Sequence, residues 1–190
     1  MRHVLTCLLA VVGLVAIHGT ATADPIGFSG PYAPANFTTT NTPAGTGGSA
    51  NFAGAPASAT FTSGDSGVGG VTDTIVLAAG DGLVTFDFSY SSDDFGTFDT
   101  FGFLLNGVYT QLVDNDGNPS GFTGSASFAV LEGDTFGFRS TTADGGFGPG
   151  VAVVTNFNAP FQVPEPASMA IFGGLAVAGI AGYRRRMKKA

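Results

Sequence analysis

Apolar and polar residues alternate with period two through the middle of the chain. Leu83–Ser91 reads L-V-T-F-D-F-S-Y-S, with Val84, Phe86, Phe88 and Tyr90 interleaved with Thr85, Asp87 and Ser89. Successive strand side chains point to opposite faces, so this pattern predicts a half-buried strand. Ser125–Leu131 places Ala126, Phe128 and Val130 on one face, and Thr135–Arg139 does the same with Phe136 and Phe138. Thr72–Ala79 (T-D-T-I-V-L-A-A) and Val151–Phe157 (V-A-V-V-T-N-F) are rich in β-branched residues and predict two more strands. Gly102–Leu105 and Val108–Val113 flank Asn106-Gly107. An N-G pair between apolar runs predicts a hairpin, because both central residues need positive φ. Gly80-Asp81-Gly82, Asp114–Pro119, Glu132-Gly133-Asp134 and Gly145–Gly150 read as turns and loops. Strand and turn recur about every 8–12 residues, the spacing of an antiparallel sandwich or barrel. No helical periodicity with caps occurs between residues 24 and 163.

Residues 24–70 are less decided. Gly, Ala, Thr, Ser and Pro fill 35 of these 47 positions, a composition common in disordered linkers. Aromatic anchors nevertheless recur at Phe28, Tyr32, Phe37, Phe52 and Phe61, and Ala59-Thr60-Phe61-Thr62 has strand character. Short edge strands joined by long turns are the expectation. The chain has 18 Phe and no Trp, so the rings suit alternating inward positions better than a sugar-stacking platform.

Both ends depart from this pattern. Met1-Arg2-His3 is a short basic start, Val4–Ile17 is apolar, and Thr20-Ala21-Thr22-Ala23 ends in a small-x-small site before Asp24. That order predicts a secretory signal peptide over residues 1–23, cleaved after Ala23 with Ala21 and Ala23 as the small residues of the site. Cys7 lies inside the apolar run, ahead of where a lipoprotein cysteine would sit. At the other end, Pro164-Glu165-Pro166 precedes the uncharged stretch Ala167–Tyr183 and the basic cluster Arg184, Arg185, Arg186, Lys188 and Lys189. The prolines cannot enter a helix interior or a central strand, so they hold an extended segment. The uncharged stretch would make a helix of about 26 Å, at the short end of a membrane span. The basic residues 184–190 would stop transfer and stay cytoplasmic. The predicted plan is therefore a leader (1–23), an exported domain (24–163) and a tail (164–190) with one transmembrane helix over 167–183.

Charge narrows the function classes. Between residues 24 and 163 there is one base, Arg139, against 13 Asp and Glu, a net charge of −12. Nucleic-acid phosphates would repel such a domain. Once the leader is gone no cysteine remains, and His3 and His18 go with it. Serine–histidine and cysteine–histidine catalysis, disulfides and Cys- or His-ligated zinc are thereby excluded. A two-carboxylate glycosidase could still draw on Asp87, Asp93, Asp94, Asp99 or Glu132, but no pair stands out. The domain is expected not to be an enzyme. Calcium is the one cofactor candidate, because Asp114, Asp116 and Asn118 alternate and their oxygens could converge on a hard cation. Pro119 stands where an EF-hand needs its sharp-turn Gly, and Asx-turns account for the same residues. Asp93, Asp94 and Asp99 form a second acidic group.

The tail resembles the PEP-CTERM sorting signal of Gram-negative bacteria, in its P-E-P motif, its Gly/Ala-rich span and its terminal Arg/Lys run. The resemblance implies processing by exosortase, a membrane-embedded cysteine transpeptidase, of a single-pass inner-membrane precursor delivered there by the Sec translocon. The product would be released or attached at the cell surface. The same tail is also labelled an ice-binding-protein C-terminal domain, which describes the tail and not the domain before it. Between residues 28 and 160 the chain resembles a recurrent group of PEP-CTERM proteins. The matching phrases are G-P-Y-A-P-A-N-F at 30–37, V-T-F-D-F-S-Y-S-S-D-D at 84–94, F-D-T-F-G-F-L-L-N-G-V-Y-T-Q-L at 98–112, G-D-T-F-G-F-R at 133–139 and V-V-T-N-F-N-A-P at 153–160. That resemblance implies an all-β, antiparallel jelly-roll or CUB-like sandwich. The function expected is structural or adhesive, within an exopolysaccharide or biofilm layer. A calcium-dependent carbohydrate-binding module is the first alternative. An ice-binding protein is the second, on Thr38–Thr40 and Thr60, which are irregularly spaced.

Overall fold

The structure is a computed structural model, and it describes residues 26–94, 98–113 and 120–162, together with Gly173. Ten strands account for most of it: β1 (Thr38–Thr42), β2 (Ser49–Asn51), β3 (Ser58–Thr62), β4 (Gly70–Leu77), β5 (Gly82–Ser91), β6 (Asp99–Leu105), β7 (Val108–Gln111), β8 (Ser120–Val130), β9 (Thr135–Thr142) and β10 (Val151–Asn158). They form two five-stranded sheets. Sheet A runs β1-β4-β9-β6-β7, and sheet B runs β2-β3-β10-β5-β8. Every pair of strands is antiparallel. Strands β3 to β10 distribute as 4-9-6-7 and 3-10-5-8, the connectivity of a two-sheet jelly roll. Among the described residues from 26 to 162, two single 3-10 turns, Gly30–Tyr32 and Pro34–Asn36, interrupt the β structure.

Alternation produces the core. Val84, Phe86, Phe88 and Tyr90 all face inward from β5, opposite Phe101, Phe136 and Phe138 of sheet A. The rings interlock across the two sheets. Phe61 and Phe138 lie 4.4 Å apart between centroids, and Phe103 stacks on Phe128 at 4.2 Å. The segment before β1 completes the core, with Phe28 and Tyr32 1% and 0% exposed. Phe28 stacks on Phe157 at 4.6 Å and meets Phe52 edge-on at 5.5 Å. Residues 26–70 thus supply the edge strands β1 and β2, anchored by aromatics, but β3, expected at an edge, lies inside sheet B between β2 and β10.

Several boundaries move for identifiable reasons. The predicted strand over Val108–Val113 stops at Gln111, because the Leu112 and Val113 N–H groups both turn to the Phe101 carbonyl. The strand expected from Ser125 starts at Ser120, because β5 pairs with it back to Ser91. The strand expected to end at Arg139 continues to Thr142, with Ser140 and Thr142 buried. The predicted hairpin forms as expected: Asn106 and Gly107 have φ of 50° and 81°. The Asn106 side chain then docks on the next turn, donating to Asp134 Oδ1 (3.0 Å) and accepting from the Thr135 N–H (3.0 Å).

Candidate functional site

Asp99 opens β6 and is fully buried, so its partners matter most. The Ser63 hydroxyl donates to Oδ1 at 3.0 Å and the Ser92 hydroxyl to Oδ2 at 2.9 Å. The same hydroxyls accept from the backbone, Ser63 from the Gly150 N–H (2.8 Å) and Ser92 from the Asp94 N–H (3.2 Å). Ser63 and Ser92 follow strands of sheet B, whereas Asp99 belongs to sheet A. The cluster therefore ties the sheets together at one end of the sandwich. Burial pushes the Asp99 carboxyl above the usual range, against the pull of the Ser92, Ser63 and Thr142 hydroxyls, and Asp94 raises it further. The Tyr90 hydroxyl is buried beside it. Burial first, and then the charge of Asp99, hold that phenol far above its ordinary value.

Of the carboxylates considered for two-acid chemistry, Asp94, also buried, is the one that acts on Asp99. Asp99 lies inside and is capped by hydroxyls. Asp87 sits on the outer face of β5, Asp93 is exposed in the loop after it, and Glu132 is exposed in the β8–β9 turn. Among the described residues no group of three or more His, Cys, Asp or Glu could hold a metal ion, so Asp93, Asp94 and Asp99 do not converge. Asp114, Asp116 and Asn118 lie outside the described residues. So do Ala21, Ala23, Pro164, Glu165, Pro166, Arg184, Arg185, Arg186, Lys188 and Lys189, with the leader and the tail helix expected around them. Among the described residues no helix is long and apolar enough to cross a membrane. Thr38–Thr40 belong to β1 of sheet A and Thr60 to β3 of sheet B, so they do not make one array.

The outer faces of the two sheets differ. On sheet A, Arg139 grips Asp73 with two bonds, Nε to Oδ1 at 2.6 Å and Nη2 to Oδ2 at 2.7 Å. Its guanidinium lies 5.5 Å from the centre of the Tyr109 ring. That ring rests against Gly102, where a Cβ would come within 2.8 Å of it. The single base of residues 24–163 is thus engaged within its own sheet.

Sheet B presents hydroxyls. Thr85, Asp87 and Ser89 of β5 stand between Thr123, Ser125 and Ser127 of β8 and Thr155 of β10. Two shallow depressions of about 410 and 480 Å³ share Asp87 and Ser125. The first is also lined by Thr85, Ser127 and Asn156, and the second by Ser89, Thr123 and Thr155. A register shift between Thr155 and Asn158 sets Asn156 at φ 49°, and its amide donates to Asp87 Oδ2 at 2.7 Å. The result is a flat field of neutral donors and acceptors around one carboxylate. Sequence reasoning assigned no role to Asn156 or Ser125. The only available signal was an Asn inside a β-prone run.

Gln162 donates its N–H to the Ala79 carbonyl (3.0 Å), and Phe161 bridges to Ala79. A family profile, the PEP-CTERM protein-sorting motif, matches residues 162–186. The chain carries a PEP-CTERM sorting motif. It implies export of a membrane-held precursor and processing by an exosortase. No curated protein matches the chain. Among solved structures, a family 35 carbohydrate-binding module from Clostridium thermocellum is similar at 18% identity and a TM-score of 0.33, covering 63% of this chain and 85% of that one. The structure of TmCBM61 in complex with beta-1,4-galactotriose is similar at 12% identity and 0.37, covering 72% and 95%. The secreted serine protease VesC from Vibrio cholerae is similar at 10% identity and 0.38, covering 55% and 22%.

Proposed function

We propose that this PEP-CTERM cargo is a non-catalytic surface or matrix protein whose sheet-B face adheres to neutral, polyhydroxylated polymer of an exopolysaccharide layer. The Sec translocon and an exosortase are its partners in transit, and its destination is the cell surface or the extracellular space. The observation that supports this reading most is the hydroxyl field around Asp87. Thr85, Ser89, Thr123, Ser125, Ser127, Thr155 and Asn156 offer many paired donors and acceptors, while the only charge there would repel acidic polymers. Hydroxylated ligands meet such a surface with exchangeable hydrogen bonds, many of them water-mediated. Weak contacts then multiply along a repeating polymer.

Affinity electrophoresis of the purified protein through gels containing neutral or uronic-acid polysaccharide tests the reading. Retardation by neutral polymer, weakened by Asn156→Ala and unchanged by a chelator, is expected. Equal mobility in all gels overturns it. A chelator-sensitive shift would favour a calcium-dependent module, with Asp114, Asp116 and Asn118 as the first residues to replace.

A further inference from the structure

Each sheet has two edge strands, and they are unequal. β1, β2 and β7 have five, three and four residues, short enough to offer little ladder for another chain. β8 has eleven residues, pairs only with β5 among the described strands, and forms the outer edge of sheet B. Edge strands are ordinarily protected by charge, proline or brevity. Ser120–Val130 (S-G-F-T-G-S-A-S-F-A-V) contains no charged residue and no proline. Its register with β5 is regular from Phe122 to Val130, the one irregularity lying at Tyr90/Ser91 opposite its start.

The order of residues in β8 is itself symmetric. Phe122-Thr123-Gly124-Ser125-Ala126-Ser127-Phe128 reads the same from either end by class: aromatic, hydroxyl, small, serine, small, hydroxyl, aromatic. An antiparallel pair related by a two-fold axis joins residues whose numbers have a constant sum. An axis through Ser125 sets Phe122 against Phe128 of the other copy twice, Thr123 against Ser127, and Gly124 against Ala126. Phe122 and Phe128 are both half-buried on the inner face, with open ring surface for such a pair. We propose that β8 pairs with β8 of a second copy of this chain about a two-fold axis at Ser125, joining two sheets B into one of ten strands.

Charge permits the pairing despite the net −12 of residues 24–163. Asp87 is the acidic residue of β5 in the row of Ser125. In the pair, the two Asp87 residues are separated by three strand spacings, about 14 Å. That exceeds the screening length of about 8 Å at physiological salt. Pairing should therefore strengthen as salt rises from low ionic strength. It would also double the hydroxyl field, since Thr123, Ser125 and Ser127 would meet their copies at its centre.

Cysteine cross-linking in the full chain, with Cys7 replaced by alanine, tests both partner and register. Directly opposed strand residues have Cα atoms about 4.5–5.5 Å apart, within disulfide range. Ser125→Cys alone should turn the monomer band largely into a dimer band on a non-reducing gel. Thr123→Cys and Ser127→Cys should each remain mostly monomeric, yet dimerise when the two variants are mixed. Ser89→Cys, one strand inward, should stay monomeric. No dimer from Ser125→Cys overturns the proposal, and would be the outcome if a segment of the chain's own tail covers β8. Equal dimer from all single variants overturns it too, because contact through the tail or leader selects no register.

Discussion

Asp99 offers the sharpest test of how the two sheets are held together. Replacing it by alanine deprives two buried hydroxyls, Ser63 and Ser92, of their acceptor. Each buried group left without a partner costs about 1–3 kcal/mol, so Asp99→Ala should lose about 2–6 kcal/mol. That is a large part of the about 5–15 kcal/mol that holds a domain together. Asp99→Asn keeps the shape and one acceptor. Its amide N–H must then face a hydroxyl that has lost its own acceptor, and one orphan at about 1–3 kcal/mol results.

The pH dependence separates this account from a generic packing defect. Burial raises the Asp99 carboxyl above its ordinary value in the folded state. Between the ordinary and the raised value the folded protein holds a proton that the unfolded chain has released. The contribution of this group to stability is therefore complete below about pH 4 and falls as pH rises through the folded value. Asn has no such dependence, and the other carboxylates are common to both proteins. Urea unfolding of wild type and Asp99→Asn from about pH 3 to about pH 8 reads the difference directly. The advantage of wild type should be greatest at the acid end and shrink towards neutrality. A gap that is flat, or that widens with pH, refutes the buried-acid reasoning.

Two further predictions concern the core and the hairpin. Phe138 touches the rings of Phe28, Phe61, Phe86, Phe101 and Phe157, so Phe138→Ala should lose about 3–5 kcal/mol in denaturant unfolding. Phe147, 83% exposed, should lose almost nothing on the same change, and similar losses at both would count against the core assignment. Asn106→Ala puts a Cβ at φ 50° without a docking side chain and should cost about 1–2 kcal/mol, whereas Asn106→Gly should cost less. Thermal melts compare the two. Asn106 and the Leu131 N–H also hold the Asp134 carboxyl below its ordinary value, the backbone N–H contributing most. That contribution is present above the ordinary carboxylate pKa and fades as pH drops below it.

What could be read in the sequence follows from what local patterns encode. Period-two alternation in Leu83–Ser91 named the buried face of β5 residue by residue, because pleating alone decides it. Asn106-Gly107 named its turn, because few residues tolerate positive φ. The partners of each strand were not legible. Ser63, Ser92 and Asp99 meet only through pairings between distant strands, and each looks like an ordinary loop residue in isolation. The start of β8 was hidden for a related reason. Gly121 and Gly124 weaken the strand signal, and only pairing with β5 draws them into the ladder. The hydroxyl field is likewise a product of register, since Thr155, Asp87 and Ser125 become neighbours only when β10, β5 and β8 align.

The junction between domain and tail leads to a last prediction. Tyr32, fully buried near the chain start, donates its hydroxyl to the Pro160 carbonyl and accepts the Ala79 N–H at 3.0 Å. Gln162 closes the same corner through the Ala79 carbonyl and its side chain's bond to Glu132 Oε2 at 2.5 Å. Among the described residues, these contacts of the sandwich reach Gln162, the residue where the sorting motif begins. Removal of everything after Val163 breaks none of them, so the truncated protein should melt within about 2 °C of the full chain. Tyr32→Phe orphans the Ala79 N–H and the Pro160 carbonyl and should lower stability by about 2–6 kcal/mol in either form. If truncation alone destabilises as much as Tyr32→Phe, the tail is part of the fold, and a sorting signal that can be discarded without loss is the wrong description of it.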